Sequence, residues 1–269
     1  MLAGSLALLG GMYLIGVVRV WRNAGFGRGI RTWEAVAFAC GWLILVVALF
    51  PPIDHWSELF QAVHMVQHEL LMVVAAPLIA ISGPIVALLW AMPTDLRRKG
   101  LDLLRRPPVT VVWAALTAPV SVFVLHAVAL WVWHLPALYD AALAHQGVHA
   151  VQHFCFFGSA ALFWWGIANG RYRRAGYGVA VVYVFATAVH SGVLGALMTL
   201  APRVWYPPYL ISHPSGMTPL EDQQIAGLLM WVPAGVILTA AGLVLFAAWL
   251  RESDRRTRYK PPVRENSTS

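Results

Sequence analysis

Seven apolar runs, each close to 20 residues long, constrain this chain more than any other feature. They fall at about 2–18, 33–50, 59–81, 109–133, 146–168, 177–199 and 224–249, and about 20 apolar residues suffice to cross roughly 30 Å of hydrocarbon. Hydrocarbon offers no hydrogen-bond partners, so a spanning segment must satisfy its own backbone, which such runs do as helices. The chain is 59% hydrophobic and only 12% charged, against about 25% charged in soluble domains. It therefore reads as all-α: a polytopic membrane protein built as a seven-transmembrane-helix bundle. Residues 1–250 form a single transmembrane domain, and 251–269 a basic cytoplasmic tail expected to be disordered at its end.

The basic residues orient the bundle, because cytoplasmic loops retain Lys and Arg. Arg19, Arg22, Arg28 and Arg31 follow the first run. Arg97, Arg98, Lys99, Arg105 and Arg106 follow the third, and Arg171, Arg173 and Arg174 the fifth. With six more in the tail, 18 of the 19 Lys and Arg residues lie on one side, leaving only Arg203 on the other. The N-terminus is expected outside and the C-terminus in the cytoplasm. The same distribution explains the pI of about 9.8 by topology, which argues against nucleic acid as a partner. No positive charge precedes the first run and no small-residue cleavage site closes it, so it reads as a span and not a signal peptide. Cys40 and Cys155 fall within spans and form no CxxC, which excludes a disulfide framework.

Three prolines, Pro77, Pro119 and Pro233, sit where spans can kink. The third run meets Ser82-Gly83-Pro84 and should stop near Ser82, with the following turns along the inner interface. The outer loops hold Asp54, Glu58, Asp140, Glu221 and Asp222, acids able to attract cations.

Two segments nearly repeat: QAVHMVQH from Gln61 to His68 and QGVHAVQH from Gln146 to His153. Each carries an i, i+4 histidine pair, which shares one helical face, and neutral imidazole is the commonest protein metal ligand. All ten histidines map to the outer half. A rise of 1.5 Å per residue puts His68 roughly 13 Å below the outer end of its span, His126 about 12 Å, His153 about 10 Å and His190 about 14 Å. Four helices thus supply one layer. His64 and His149 form a second layer about 6 Å nearer the surface, with His134 and His145 above it. Polar groups in hydrocarbon face the bundle interior and mark functional sites, so His64, His68, His126, His149, His153 and His190 are the candidate metal ligands. Gln61, Gln67, Gln146 and Gln152 flank the histidine face and are placed to fix imidazole tautomers. Met72 continues the stripe of His64 and His68.

Imidazole-rich sites with few carboxylates suit copper, zinc or iron better than magnesium or calcium. HExxH is absent, because Glu69 follows His68 without sitting between the pair, so zinc hydrolysis is not expected. CxxCH is absent too, which excludes covalent haem. Non-covalent haem b between His68 or His153 and a facing histidine stays open. Met72, Met198, Met217 and Met230, near the same outer half, favour copper.

Several longer motifs stand out: HMVQHELL followed by APLIAISGP, WHLPALYDAAL, VHAVQHFCFF leading to FWWGI, SGVLGALM, and PLEDQQIAGLLMW. Together they resemble the multi-spanning CtaG family of bacterial cytochrome c oxidase assembly factors. The likeness runs from about His64 to Trp231. It implies a seven-helix protein of the bacterial plasma (inner) membrane needed to mature haem-copper oxidases, with copper insertion as its suspected role. The family histidines fall on His64, His68, His126, His134, His149, His153 and His190, and Asp222, Met230 and Trp231 match the start of the last span. The expected partners are the catalytic subunit of a haem-copper oxidase, outer-face copper chaperones and membrane lipids. The expected function is copper binding and delivery by ligand exchange, without enzymatic turnover. A haem b electron carrier or oxidoreductase is the alternative. A metal transporter ranks last, since the inner halves of the spans are almost uniformly apolar.

Overall fold

A computed structural model describes residues 2–168, 176–210 and 216–258. Arg171, Arg173, Arg174, His213 and the end of the tail lie outside the described residues. Among the described residues every regular element is a helix. In chain order they are α1 (Leu2–Ala24), α2 (Thr32–Leu49), α3 (Ile53–Leu59), α4 (Gln61–Ile81), α5 (Pro84–Ala91), α6 (Thr94–Arg105), α7 (Pro107–Leu116), α8 (Pro119–Trp133), α9 (Pro136–Ala144), α10 (Gln146–Ala168), α11 (Tyr177–Thr199) and α12 (Pro219–Arg258), with a 3-10 turn at Pro207–Leu210.

Five of these, α1, α2, α4, α11 and α12, are long and apolar enough to cross a membrane, and α7 with α8 makes a sixth if the bent pair is one span. The bend is 60° and has a covalent cause. Pro119 opens α8 without an N–H to give, and Ala118 before it is held extended at φ −64°, ψ 140°. The expected seventh, α10, has 23 residues but carries Gln152 and His153 inside its apolar stretch, which lowers its hydropathy. The residues that make it a candidate site helix also weaken its membrane signature.

Pro77 acts differently. A π turn spans Leu70–Ala75, and Ala76 N–H reaches back five residues to Leu71 O. In that register the carbonyl of Met72 faces the nitrogen of Pro77, which has no hydrogen. Trp164 Nε1 of α10 donates to it instead, at 3.0 Å. The proline of one motif and the tryptophan of another thus lock α10 to α4. Pro233 remains inside the continuous α12.

Helix α4 ends at Ile81 as expected, and Gly83 turns the chain at φ +65°, ψ 42°, a left-handed conformation that glycine adopts without cost. The segment after it is helical. It forms α5, which packs alongside α1: Tyr13 Oη donates to Ser82 O (2.9 Å), and Arg19 caps the far end through Ala91 O (2.6 Å). The guanidinium thereby satisfies terminal carbonyls that no intrahelical N–H can reach. The exposed amphipathic segment is α6, with no buried residue.

The site is framed by five helices: α4 packs against α10 and α12, α10 against α8, α8 against α11, and α11 against α12. Helix α2 covers α4 from outside. Helices α11 and α12 approach each other closely. A Cβ on Gly195 would sit 2.7 Å from Trp231 Cβ, and one on Gly227 would sit 2.7 Å from Gly195 O. Small residues at such a crossing let two backbones touch, the usual route to tight packing where no hydrophobic drive exists between helices.

Candidate metal centre

The first turn of a helix has N–H groups without intrahelical acceptors. In α4 two of them are taken by Asp222 of α12, wholly buried, whose carboxylate accepts from Gln61 N (2.7 Å) and Ala62 N (3.1 Å). This clamp sets the start of α4, and His64 and His68 follow one and two turns further on. The sequence offers Asp222 as an acid able to attract cations and, like His134, His145, Met72 and Met230, as an accessory metal ligand; the structure instead commits both its oxygens to the backbone.

The two HxxxH faces meet. One ligand nitrogen from each of His64, His68, His149 and His153 lies within 4.8 Å of the others. Ring centroids are 4.4 Å apart for His64–His68, 4.1 Å for His149–His153, 5.1 Å for His64–His149 and 5.4 Å for His68–His153. His64 is fully buried, His68 is 2% exposed and His153 8%. Their ring nitrogens lack partners: His64 Nε2, both nitrogens of His68, His149 Nε2 and His153 Nε2 are sealed and unbonded. Leaving such a buried group unsatisfied costs about 1–3 kcal/mol each, and a shared cation satisfies several at once. A tetrahedral ion at 2.0–2.1 Å from each nitrogen needs neighbours about 3.3 Å apart. The cluster is therefore at most about 1.5 Å too wide, within the reach of side-chain adjustment.

The hydroxyl of Tyr209 supplies the tautomer control that the glutamines were expected to give. Tyr209 Oη donates to Ser57 O (3.0 Å) and lies 3.3 Å from His64 Nδ1. Burial raises the Tyr209 hydroxyl far above its usual range, so it keeps its proton. With that proton on Ser57, Tyr209 accepts from His64 Nδ1–H, and Nε2 carries the free lone pair. Among the described residues no glutamine of the repeats bonds an imidazole. Gln67 Nε2 donates to Ala48 O (2.7 Å) and Asp54 Oδ1 (3.1 Å), tying α4 to α2 and α3. Gln61 and Gln152 are buried with unbonded amides, and Gln146 is exposed. Sequence offered no signal for Tyr209, which lies 145 positions from His64.

The remaining histidines divide. His134 donates Nδ1–H to Leu130 O (2.6 Å) and flanks the cluster, 6.2 Å from His68 between ring centroids, with Nε2 sealed and unbonded. His126 and His190 form a separate pair, 5.8 Å between centroids, on α8 and α11. Helical rise gives depth but not azimuth: His126 turns to Ser159 of α10 and to His190, not to the four-histidine group. His145 is exposed. Met72 and Met230, both buried, line a cavity of about 40 Å³ inside the five-helix frame, together with Glu69 and His126. Outside the spans, Tyr139 stacks on Tyr206 (3.9 Å) and approaches His64 (5.1 Å), and Tyr206 Oη donates to His134 O (2.9 Å). These tyrosines close the outer side of the cluster.

Helices of membrane length that converge two distant HxxxH segments on one sealed, carboxylate-free group of four imidazoles define a helical membrane protein with a polyimidazole centre. The chain matches the model of the cytochrome c oxidase caa3 assembly factor family (Caa3_CtaG) over residues 11–252, and it belongs to that family. It is thus a member of a family of cytochrome c oxidase assembly factors, as the motif resemblance implied. No curated protein and no solved structure matches it.

Proposed function

We propose that this protein is a copper-handling assembly factor, which holds the ion on outer-leaflet histidines and delivers it to the catalytic subunit of a haem-copper oxidase. The observation that carries the reading is the group of unbonded, buried ring nitrogens on His64, His68, His149 and His153. Copper is the cargo, not a resident cofactor. Imidazole suits copper and zinc alike, and the family's oxidase is the destination that selects copper. Delivery is ligand exchange, so no reaction is catalysed.

Helix α10 serves as the seventh span in this reading, with the N-terminus outside and the C-terminus in the cytoplasm of a bacterial inner membrane. The one-sided Lys and Arg distribution supports that orientation. Outer-face copper chaperones would meet the protein near the exposed His55 and His145. Haem b fits less well, because the imidazoles of His64 and His149 already fill the space beside His68 and His153.

Metal analysis of the purified protein after loading with copper(I), compared with a His68→Ala/His153→Ala variant, tests this. Copper bound through nitrogen and lost in the variant is expected. Absence of copper, or copper retained in the variant through the same nitrogen shell, refutes the reading, and a Soret band in the isolated protein would favour haem.

A further inference from the structure

One helical turn inward from His68, the narrow cavity is lined from all five framing helices, with Glu69 and Met72 from α4, His126 from α8, Thr187 and Ser191 from α11 and Met230 from α12 as its chemically active residues. Each hydrogen-bond donor among the lining side chains is already spent. Thr187 Oγ1 donates to Tyr183 O (2.8 Å) and Ser191 Oγ to Thr187 O (2.8 Å). Trp164 Nε1 is committed to Met72 O. Ser159 Oγ donates to Phe156 O (3.2 Å), so it accepts from His126 Nδ1–H (3.2 Å), and His126 Nε2 keeps its lone pair.

What remains is a largely apolar wall, formed by Val73, Leu130, Ala160, Phe163, Ala234 and Leu238, interrupted by a few polar or soft side chains. Met72, Met230, His126 and the Glu69 carboxyl group are the ones with capacity to spare, and Glu69 Oε2 is sealed without any partner. Two thioethers, an imidazole lone pair and an unpartnered carboxyl group gathered on an otherwise apolar wall of a membrane bundle suit a soft cation. About 40 Å³ exceeds the 10–15 Å³ a single water needs, yet excludes an organic molecule.

We infer that this cavity is a second cation station, taking a dehydrated copper(I) ion between the thioethers of Met72 and Met230 and the imidazole of His126, with the Glu69 carboxylate beside it. The thioethers choose the ion: neutral sulfur ligands suit copper(I), whereas calcium takes oxygen ligands and zinc takes its sulfur as thiolate, of which this wall has none among the described residues. The inference rests on the copper reading of the four-histidine centre and extends it inward. His68 and Met72 lie on one stripe of α4, about 6 Å apart along the axis, so the ion passes from a nitrogen site to a sulfur-containing one within the protein.

The test is copper(I) titration of the full-length protein against a chromogenic chelator, with X-ray absorption at the copper edge, on wild type, Met72→Leu/Met230→Leu, Glu69→Gln and His68→Ala/His153→Ala. Leucine conserves volume in both methionine sites. Wild type is expected to bind two equivalents with a mixed nitrogen and sulfur shell. The methionine variant should lose one equivalent and the whole sulfur contribution, and Glu69→Gln should weaken that equivalent alone. Sulfur-ligated copper that survives in the histidine variant supports the inner station even if the outer reading fails. Copper bound only through nitrogen, in wild type, overturns the inner station and leaves the outer site standing. No copper binding at all overturns both.

Discussion

Asp222 gives the sharpest separation of structural support from metal binding. Its carboxylate receives two backbone N–H groups of α4, at 2.7 and 3.1 Å, in a site with no solvent exposure. Hydrogen bonds to a charged group contribute about 1.5–3 kcal/mol each. Asp222→Ala removes both and leaves two buried donors orphaned, a loss of about 3–6 kcal/mol. Asp222→Asn keeps one carbonyl oxygen as acceptor and should lose about half as much. At roughly 2–4 °C per kcal/mol for chains of about this size, Asp222→Ala lowers the melting temperature in detergent by at least about 6 °C, with Asp222→Asn in between. The assay pairs thermal unfolding with copper stoichiometry on the folded fraction. Since the acid clamps the helix that carries His64 without joining the imidazoles, Asp222→Asn should keep its copper equivalents while its midpoint falls. An Asn variant that melts like wild type but loses copper would show Asp222 to be a ligand, and the clamp argument would be wrong.

Three further outcomes follow from the same geometry. Tyr209→Phe removes the acceptor that fixes the His64 tautomer, and affinity at the four-histidine centre should fall about 10–100-fold with an unchanged number of sites in a chelator competition; unaltered affinity would show that Tyr209 does not orient His64. Trp164→Phe leaves Met72 O without a donor at the π turn, costing about 1–3 kcal/mol in thermal unfolding, and a wild-type midpoint would mean that the carbonyl finds another partner. Gly195→Val drives a side chain into Trp231 and the α12 backbone, and overpacking of this kind costs about 1–3 kcal/mol; the same change at Gly192, where an added Cβ meets nothing within 4 Å, should cost markedly less in a side-by-side melt.

The sequence by itself determined the helical class, the membrane setting and the family, because span length, low charge and local motifs are properties of contiguous residues. It also identified the twin HxxxH pairs, since an i, i+4 spacing specifies one helical face before any packing is known. Depth followed from helical rise, but neighbours did not. Helical rise put His68, His126, His153 and His190 at similar depth, and only the tertiary structure shows which imidazoles meet: His64, His68, His149 and His153 in one cluster, His126 and His190 in a pair of their own. Long-range partners were equally illegible. Tyr209 on His64, Asp222 on the start of α4, and Trp164 on the carbonyl that Pro77 cannot serve depend on which helices touch. Glu69 was read only as failing a protease motif. Its place in a cavity beside Met72, Met230 and His126 was decided by five helices meeting around it, a relation that local spacing does not encode.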